Sequence, residues 1–141
     1  MTHEQIDLIR TSWKEIKPIA GKAGELFYAK LFETAPGLRK LFAPDIHPQA
    51  NKLMQVLDYV VEHLDDIESL LPGIRELGHR HAGYGAKPSH YEFVGLCLIE
   101  TLKECLKGSW TPEMKDAWTT AYYRIKQVMI VAQENHVSGI S

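Results

Sequence analysis

The chain has 141 residues, the length of one ordinary domain, since chains divide into several cores only well beyond ~250 residues. Hydrophobic residues make up 45% and charged residues 24%, a balance that supports a packed core and excludes a disordered chain. Against 18 Asp and Glu stand 16 Lys and Arg, so the formal net charge is -2 and no broad cationic surface is expected to neutralise nucleic acid.

The two cysteines, Cys97 and Cys105, fall in one helical stretch about 12 Å apart along its axis, too far to bridge, which fits a reduced compartment. No apolar run approaches the ~20 residues that cross a bilayer, and Met1-Thr2-His3-Glu4-Gln5-Ile6-Asp7 lacks the apolar stretch of a secretion signal. A cytoplasmic protein without membrane contact is expected. The 7 histidines stand out, because imidazole suits metal ligation and proton transfer.

Apolar residues recur at helical spacing almost throughout, and no long strict alternation marks a strand, so the fold reads as all-α. Thr2 and Gln5 stand at capping-box spacing before a first helix with the stripe Ile6, Ile9, Trp13 and Ile16, interrupted at Pro18. A second helix, from about Ala20 to Thr34, carries Leu26, Phe27, Tyr28, Leu31 and Phe32. That band is too wide for one stripe and predicts burial on more than one side. Ala35-Pro36-Gly37 closes it, a short helical turn leads through Leu38 and Leu41 to Phe42, and Ala43 to Pro48 reads as a loop ending in a helix start.

From Pro48 to about Asp66, Leu53, Val56, Leu57, Val60 and Leu64 predict a long helix. A shorter one runs from about Leu70 to Ala82, with Leu71, Ile74, Leu77 and His81 on its stripe and Gly83 and Gly85 ending it. Lys87-Pro88-Ser89 opens the next, carrying Tyr91, Val94, Leu98, Leu102 and Leu106, with Gly95 allowing a close helix approach and Gly108 as the stop. Thr111-Pro112 starts a last helix through Trp118, Tyr122, Ile125, Met129 and Ala132 to a frayed end at Ser138-Gly139. No repeat or linker divides the chain, so residues 1–141 read as one domain.

Seven helices of unequal length, two of them short, suggest oblique packing around a pocket rather than an up-and-down bundle. Pro36 ahead of Phe42, Gln49 and Leu53 four apart, then Leu77-Gly78-His79-Arg80-His81 before Gly83 and Gly85, together resemble a globin. From Gln5 to about Gln133 nearly the whole chain follows that pattern. It is most similar to bacterial single-domain globins related to flavohaemoglobins, through Leu26 to Phe32 and Ser89 to Gly95; Lys52 to Leu57 is also similar to neuroglobin. The resemblance implies the globin fold, a three-over-three helical sandwich with a short or absent D helix.

It further implies haem b, iron protoporphyrin IX, held without covalent attachment, for Cys-X-X-Cys-His is missing. His81 is then the iron ligand, where by itself it would read as a helix-end histidine. Phe42 packs flat on the haem, Leu53 lies above the iron, Leu77 and Tyr84 line the cofactor, and Lys52 pairs with a propionate or simply sits on a solvated face. Gln49, four residues before Leu53, and Tyr28, a hydroxyl in an apolar helix, are donors toward a diatomic ligand. With Gln49 in place of a distal histidine, a five-coordinate iron is expected. His79 should point away to the surface, and His3, His47, His63, His90 and His136 read as bystanders, His47 being near the distal helix start.

In the resembled family a tyrosine and a glutamate support the iron-bound histidine. Tyr91 matches the first, but the glutamate position falls on Gln133 with Glu134 beside it, and a neutral amide orients an imidazole without drawing its proton. The expected function is tight, reversible binding of dioxygen, nitric oxide and carbon monoxide, for binding, transport or scavenging, in a monomer or weak homo-oligomer. The alternatives are a nitric oxide dioxygenase or pseudoperoxidase, a haem-based sensor acting through a partner, and a haem-free stress-sensing module. A length with no room for a flavin domain makes any catalytic cycle depend on a separate reductase.

Overall fold

The computed structural model describes residues 1–140, the side chains only to Glu134; the expectation for His136 lies outside the described side chains, and the helical backbone runs on through Ser138-Gly139, the expected frayed end, to Ile140. The helices are α1 (His3–Ile16), α2 (Ala20–Thr34), α3 (His47–Glu62), α4 (Ile67–Gly83), α5 (His90–Leu106) and α6 (Pro112–Ile140). Short 3-10 turns occupy Lys17–Ile19, Pro36–Leu41 and Lys107–Ser109, and the described residues contain no strand. The all-α expectation holds. The turn over Pro36–Leu41 is the short seventh element, and α3 follows it with no helix between.

The first helix begins as its residues dictate. The Thr2 hydroxyl accepts from the Gln5 N–H at 3.1 Å while Gln5 Oε1 accepts from the Thr2 N–H at 3.0 Å, so two orphan donors are satisfied reciprocally. Ile6, Ile9, Trp13 and Ile16 are buried. Pro18 does not break the chain but tightens it into the first 3-10 turn. Phe27, Tyr28 and Leu31 of α2 are buried with Ala23 and Gly24, as its wide apolar band predicts, while Leu26 and Phe32 are half-buried.

Two layers result. Helices α1, α3 and α4 face α2, α5 and α6: α2 crosses α3, α4 and α1 pack on α6, and α2 and α6 flank α5 in the second layer. Close approaches need small residues. A Cβ on Gly95 would lie 2.7 Å from the Tyr122 ring, in line with the expected close approach. One on Gly78 would lie 2.7 Å from the Met129 carbonyl oxygen, so α4 and α6 meet backbone to backbone at that point. The indoles tie the helices: Trp118 donates to Ser12 Oγ across the layers and Trp13 to Asp58 Oδ1 between α1 and α3, each at 2.8 Å.

Three boundaries differ from the sequence reading. Helix α3 stops at Glu62 instead of near Asp66, and α4 starts at Ile67, so Pro72 lies inside it and removes one helix hydrogen bond. Buried Leu70 and Ile74 on either side hold that segment helical against the loss. At the end of α5 the positive φ, 49°, falls on Lys107 and not on Gly108.

Candidate functional site

Helix α4 presents His81 in its last turn. Its Nδ1 lies 2.7 Å from the Leu77 carbonyl oxygen, the i−4 position on the same face. Since that carbonyl only accepts, Nδ1 carries the proton and Nε2 is left with its lone pair. Burial pushes the imidazole below its ordinary pKa, with the Arg80 charge adding to the effect, so the ring is neutral at pH 7. A neutral imidazole with an oriented Nδ1–H is the donor a metal requires.

The chain then turns sharply at Gly85, φ 88°, with the Ala86 N–H returning to the His81 carbonyl at 3.0 Å. Tyr91, buried on α5, lies with its ring 6.3 Å from the His81 ring and 31° from parallel. Its hydroxyl donates to Gln133 Oε1 at 3.1 Å, and burial raises that phenol to about 12. Gln133 is buried and its amide also donates to the Ala86 carbonyl, while Glu134 is exposed. The register at the end of α6 thus brings the neutral residue inward. Tyr122 completes the cluster, its hydroxyl donating to the Tyr91 carbonyl at 2.6 Å.

Tyr28 and Gln49 come together on the other side, from α2 and α3. Burial raises the Tyr28 phenol above its ordinary pKa, and a hydrogen bond with the Gln49 side chain partly opposes that. Gly24, one turn before Tyr28, makes the juxtaposition possible: a Cβ there would sit 3.1 Å from both the Cβ and the carbonyl oxygen of Ala50, the neighbour of Gln49. The Phe42 ring stands edge-on to Tyr28 at 5.4 Å and to Phe32 at 5.4 Å. Phe42, Leu53 and Leu77 are only half-buried, apolar surfaces that a planar apolar group could cover. Lys52 is exposed on α3, and Tyr84 is 63% exposed with its ring 6.1 Å from that of His81.

One contributor, Arg39, was missed by sequence reasoning, and another, His47, reads there as a bystander near the distal helix start. The Arg39 guanidinium donates to the carbonyls of Phe42, Ala43 and Pro44 at 3.4, 2.9 and 2.7 Å and lies 5.0 Å from the Phe32 ring centroid. It braces the loop that carries Phe42. Exposed His47 joins Glu25 of α2 through Nε2 at 2.9 Å and Asp45 through Nδ1 at 2.8 Å, tying α3 to α2 at the helix start. No local pattern announces either contact. Of the remaining histidines, His79, expected at the surface, is half-buried; His63 Nδ1 meets the Tyr59 carbonyl, and His90 Nδ1 accepts the Lys87 N–H. The described residues contain no cluster of three or more His, Cys, Asp or Glu that could hold a metal, so His81 is a lone imidazole donor and not part of a multi-histidine centre.

Residues 25–129 match the Globin family model, and the chain belongs to the globin family. An anaerobic nitrite reductase HBII of Casuarina glauca is 32% identical, over 88% of this chain and 87% of its own length. The flavohaemoprotein of Vibrio cholerae is 27% identical over 92% of this chain but only 34% of its own, so the chain spans about a third of that relative. Among solved structures, a bacterial globin of Campylobacter jejuni superposes with TM-score 0.84 at 21% identity, covering 95% of this chain and 97% of that one. An engineered carbene transferase, derived from the nitric oxide dioxygenase candidate of Rhodothermus marinus, gives TM-score 0.90 at 24% identity, covering 99% and 98%. These structural likenesses establish the fold.

Proposed function

We propose that the chain holds haem b non-covalently through His81 Nε2 and binds dioxygen, nitric oxide and carbon monoxide reversibly and tightly, in binding, transport or scavenging. The observation that carries this is the neutral, half-buried imidazole whose Nδ1–H is directed onto the Leu77 carbonyl. When bound, the haem iron supplies a coordination position for a diatomic gas.

The other residues act around that position. Phe42, Leu53 and Leu77 would cover the macrocycle and exclude water, Tyr84 and Tyr91 flank His81, and Lys52 would meet a propionate. Gln49, beside Tyr28, offers its amide to a ligand, and Tyr28 offers its phenol proton. Burial keeps that proton on Tyr28. Each such donor slows ligand release by a factor corresponding to about 1 kcal/mol. Gln49 on the distal helix, where a histidine could ligate, would leave a haem iron held by His81 open to a diatomic ligand.

Ultraviolet-visible spectra of the reconstituted protein in ferric, ferrous and carbon monoxide forms test the reading. A Soret band and a five-coordinate ferrous spectrum are expected; no Soret band would overturn haem binding, and a six-coordinate ferrous spectrum would overturn the open site.

A second reading is nitric oxide dioxygenation in the cytoplasm, the activity named for the Rhodothermus marinus neighbour. One dioxygen, one nitric oxide and one electron give nitrate, the electron coming from a reductase. Neutral Gln133 beside Tyr91 argues against strong electron donation through the imidazole. Stopped-flow mixing with nitric oxide decides: repeated turnover with a reductant supports the enzyme, and a single turnover with every reductant leaves a binding protein.

A further inference from the structure

Three polar side chains are buried among the described residues: Ser12, Thr101 and Gln133. Ser12 and Thr101 donate to carbonyls of their own helices, to Leu8 and Ile9 at 2.8 and 2.9 Å and to Cys97 at 2.7 Å, as such hydroxyls do in helix interiors. Gln133 reaches far along the chain instead. Its oxygen accepts from Tyr91 of α5 and its nitrogen donates to Ala86 in the corner between α4 and α5. The amide orientation follows from chemistry: the Ala86 carbonyl only accepts, so the NH₂ must face it.

The corner leads directly to His81. Ala86 accepts from Gln133 at its carbonyl and donates from its own N–H to the His81 carbonyl at 3.0 Å, while Gly85, φ 88°, makes the turn between them. Gln133 is therefore linked through a single residue of backbone to the last turn of α4. The direct route is closed, because the Tyr91 hydroxyl proton goes to Gln133 and the imidazole Nδ1 proton goes to Leu77. Gly78, pressed against Met129 and Ala132, holds the same helix to the same region of α6 one turn earlier.

We propose that Gln133 is a positioning residue that fixes the orientation of the His81 imidazole by pinning the 84–86 corner to α6, acting through the backbone and not through a hydrogen-bond relay to the ring. A glutamine suits this task because it offers an acceptor and a donor at once. An ionised carboxylate in its place has acceptors only and would face the Ala86 carbonyl with no proton to share. The proposal rests on His81 as the iron ligand, but the corner itself can be measured without haem.

The test uses Gln133→Met, nearly the same length and unable to bond, against Tyr91→Phe, which removes the phenol hydroxyl and leaves the Gln133–Ala86 bond. In the haem-free chain, hydrogen exchange followed by mass spectrometry should show amides 84–90 exchanging about tenfold faster in Gln133→Met, the effect of leaving a buried carbonyl unpaired. Tyr91→Phe should change them far less. In the reconstituted ferrous protein the resonance Raman iron–imidazole band should shift or broaden in Gln133→Met and stay near its original position in Tyr91→Phe. Should Gln133→Met not fold, Gln133→Glu above the titration of its carboxyl keeps the acceptor toward Tyr91, lacks the donor toward Ala86, and should release the corner likewise. Unchanged exchange in the glutamine variants would overturn the strut, and an equal Raman shift in Tyr91→Phe would show a relay through the phenol. Absence of haem would overturn the function proposed above while the exchange result still decides the strut.

Discussion

The His81 side and the Tyr28 side of the site are built from different forces. Around His81, three helices converge and polar groups meet internal partners: Nδ1 with Leu77, Tyr91 with Gln133, Gln133 with Ala86, Tyr122 with the Tyr91 backbone. Around Tyr28, edge-on aromatic contacts with Phe27 and Phe42 and one amide set the geometry, and the bracing comes from charged residues at the surface, Arg39 and His47. Buried hydrogen bonds are costly to break and insensitive to salt, whereas exposed ion pairs respond to salt and pH. One side is suited to holding a ligand in a fixed direction, the other to tuning what binds opposite it.

The strongest way to break the comparison is to remove His81. His81→Gly should lose the ferrous iron–imidazole signal and most of its haem, and added imidazole should restore both. Retention of haem with an unchanged spectrum would show that another residue ligates. No distal substitution should have an effect of that size.

Inserting the same methyl group on each side sharpens the contrast. At Gly78 the new Cβ meets the Met129 backbone at 2.7 Å, which cannot yield without moving α4 from α6, so Gly78→Ala should cost roughly 2 kcal/mol and lower Tm by several degrees. At Gly24 the clash with Ala50 is milder, 3.1 Å, and Gly24→Ala should cost about 1 kcal/mol. Denaturant titration of the two variants checks the ranking, and an equal or reversed cost would contradict it.

Much of this was legible before any coordinates, but not all. Stripes such as Ile6, Ile9, Trp13 and Ile16 report burial directly, since helix period and sequence spacing are the same quantity. Gly95 was readable because a small residue on an apolar stripe marks a close approach. Gln133 was named as the residue in register with Tyr91, but its bond to Ala86, 47 residues away, depends on how α6 crosses the corner. The tie from His47 to Glu25 escaped for the same reason, and the local bonds of Arg39 escaped because charged residues in turns look alike until the loop conformation is known. The start of α4 at Ile67, ahead of the expected Leu70, was not legible, because the buried stripe begins only at Leu70.

On the Tyr28 side, Tyr28→Phe keeps the ring contacts and removes the proton. Dioxygen should then dissociate several-fold faster, a change of about 1 kcal/mol, with carbon monoxide, the weaker hydrogen-bond acceptor, affected less. Flash photolysis and stopped-flow displacement measure both rates. Unaltered dioxygen release would leave Gln49 as the sole donor and dismiss the free phenol proton.

The smallest effect belongs to His47, and its sign follows from its neighbours. The hydrogen bond and charge of Asp45, then the charge of Glu25, hold the imidazole above its ordinary pKa of 6.5, while His47 holds the Asp45 carboxyl below its ordinary 3.8. A raised imidazole stabilises the fold fully below its ordinary value, and that contribution disappears as pH rises through the raised one. The lowered Asp45 carboxyl contributes above its ordinary value and stops contributing as pH falls through the lowered one. The clamp is therefore strongest in the mildly acidic range between the two. His47→Gln should lower Tm there and converge on the parent protein in alkaline solution, and added salt should shrink the gap because all three side chains are exposed. A gap that stayed constant with pH would mean that His47 contributes by packing at the start of α3 and that its charge plays no part in joining α3 to α2.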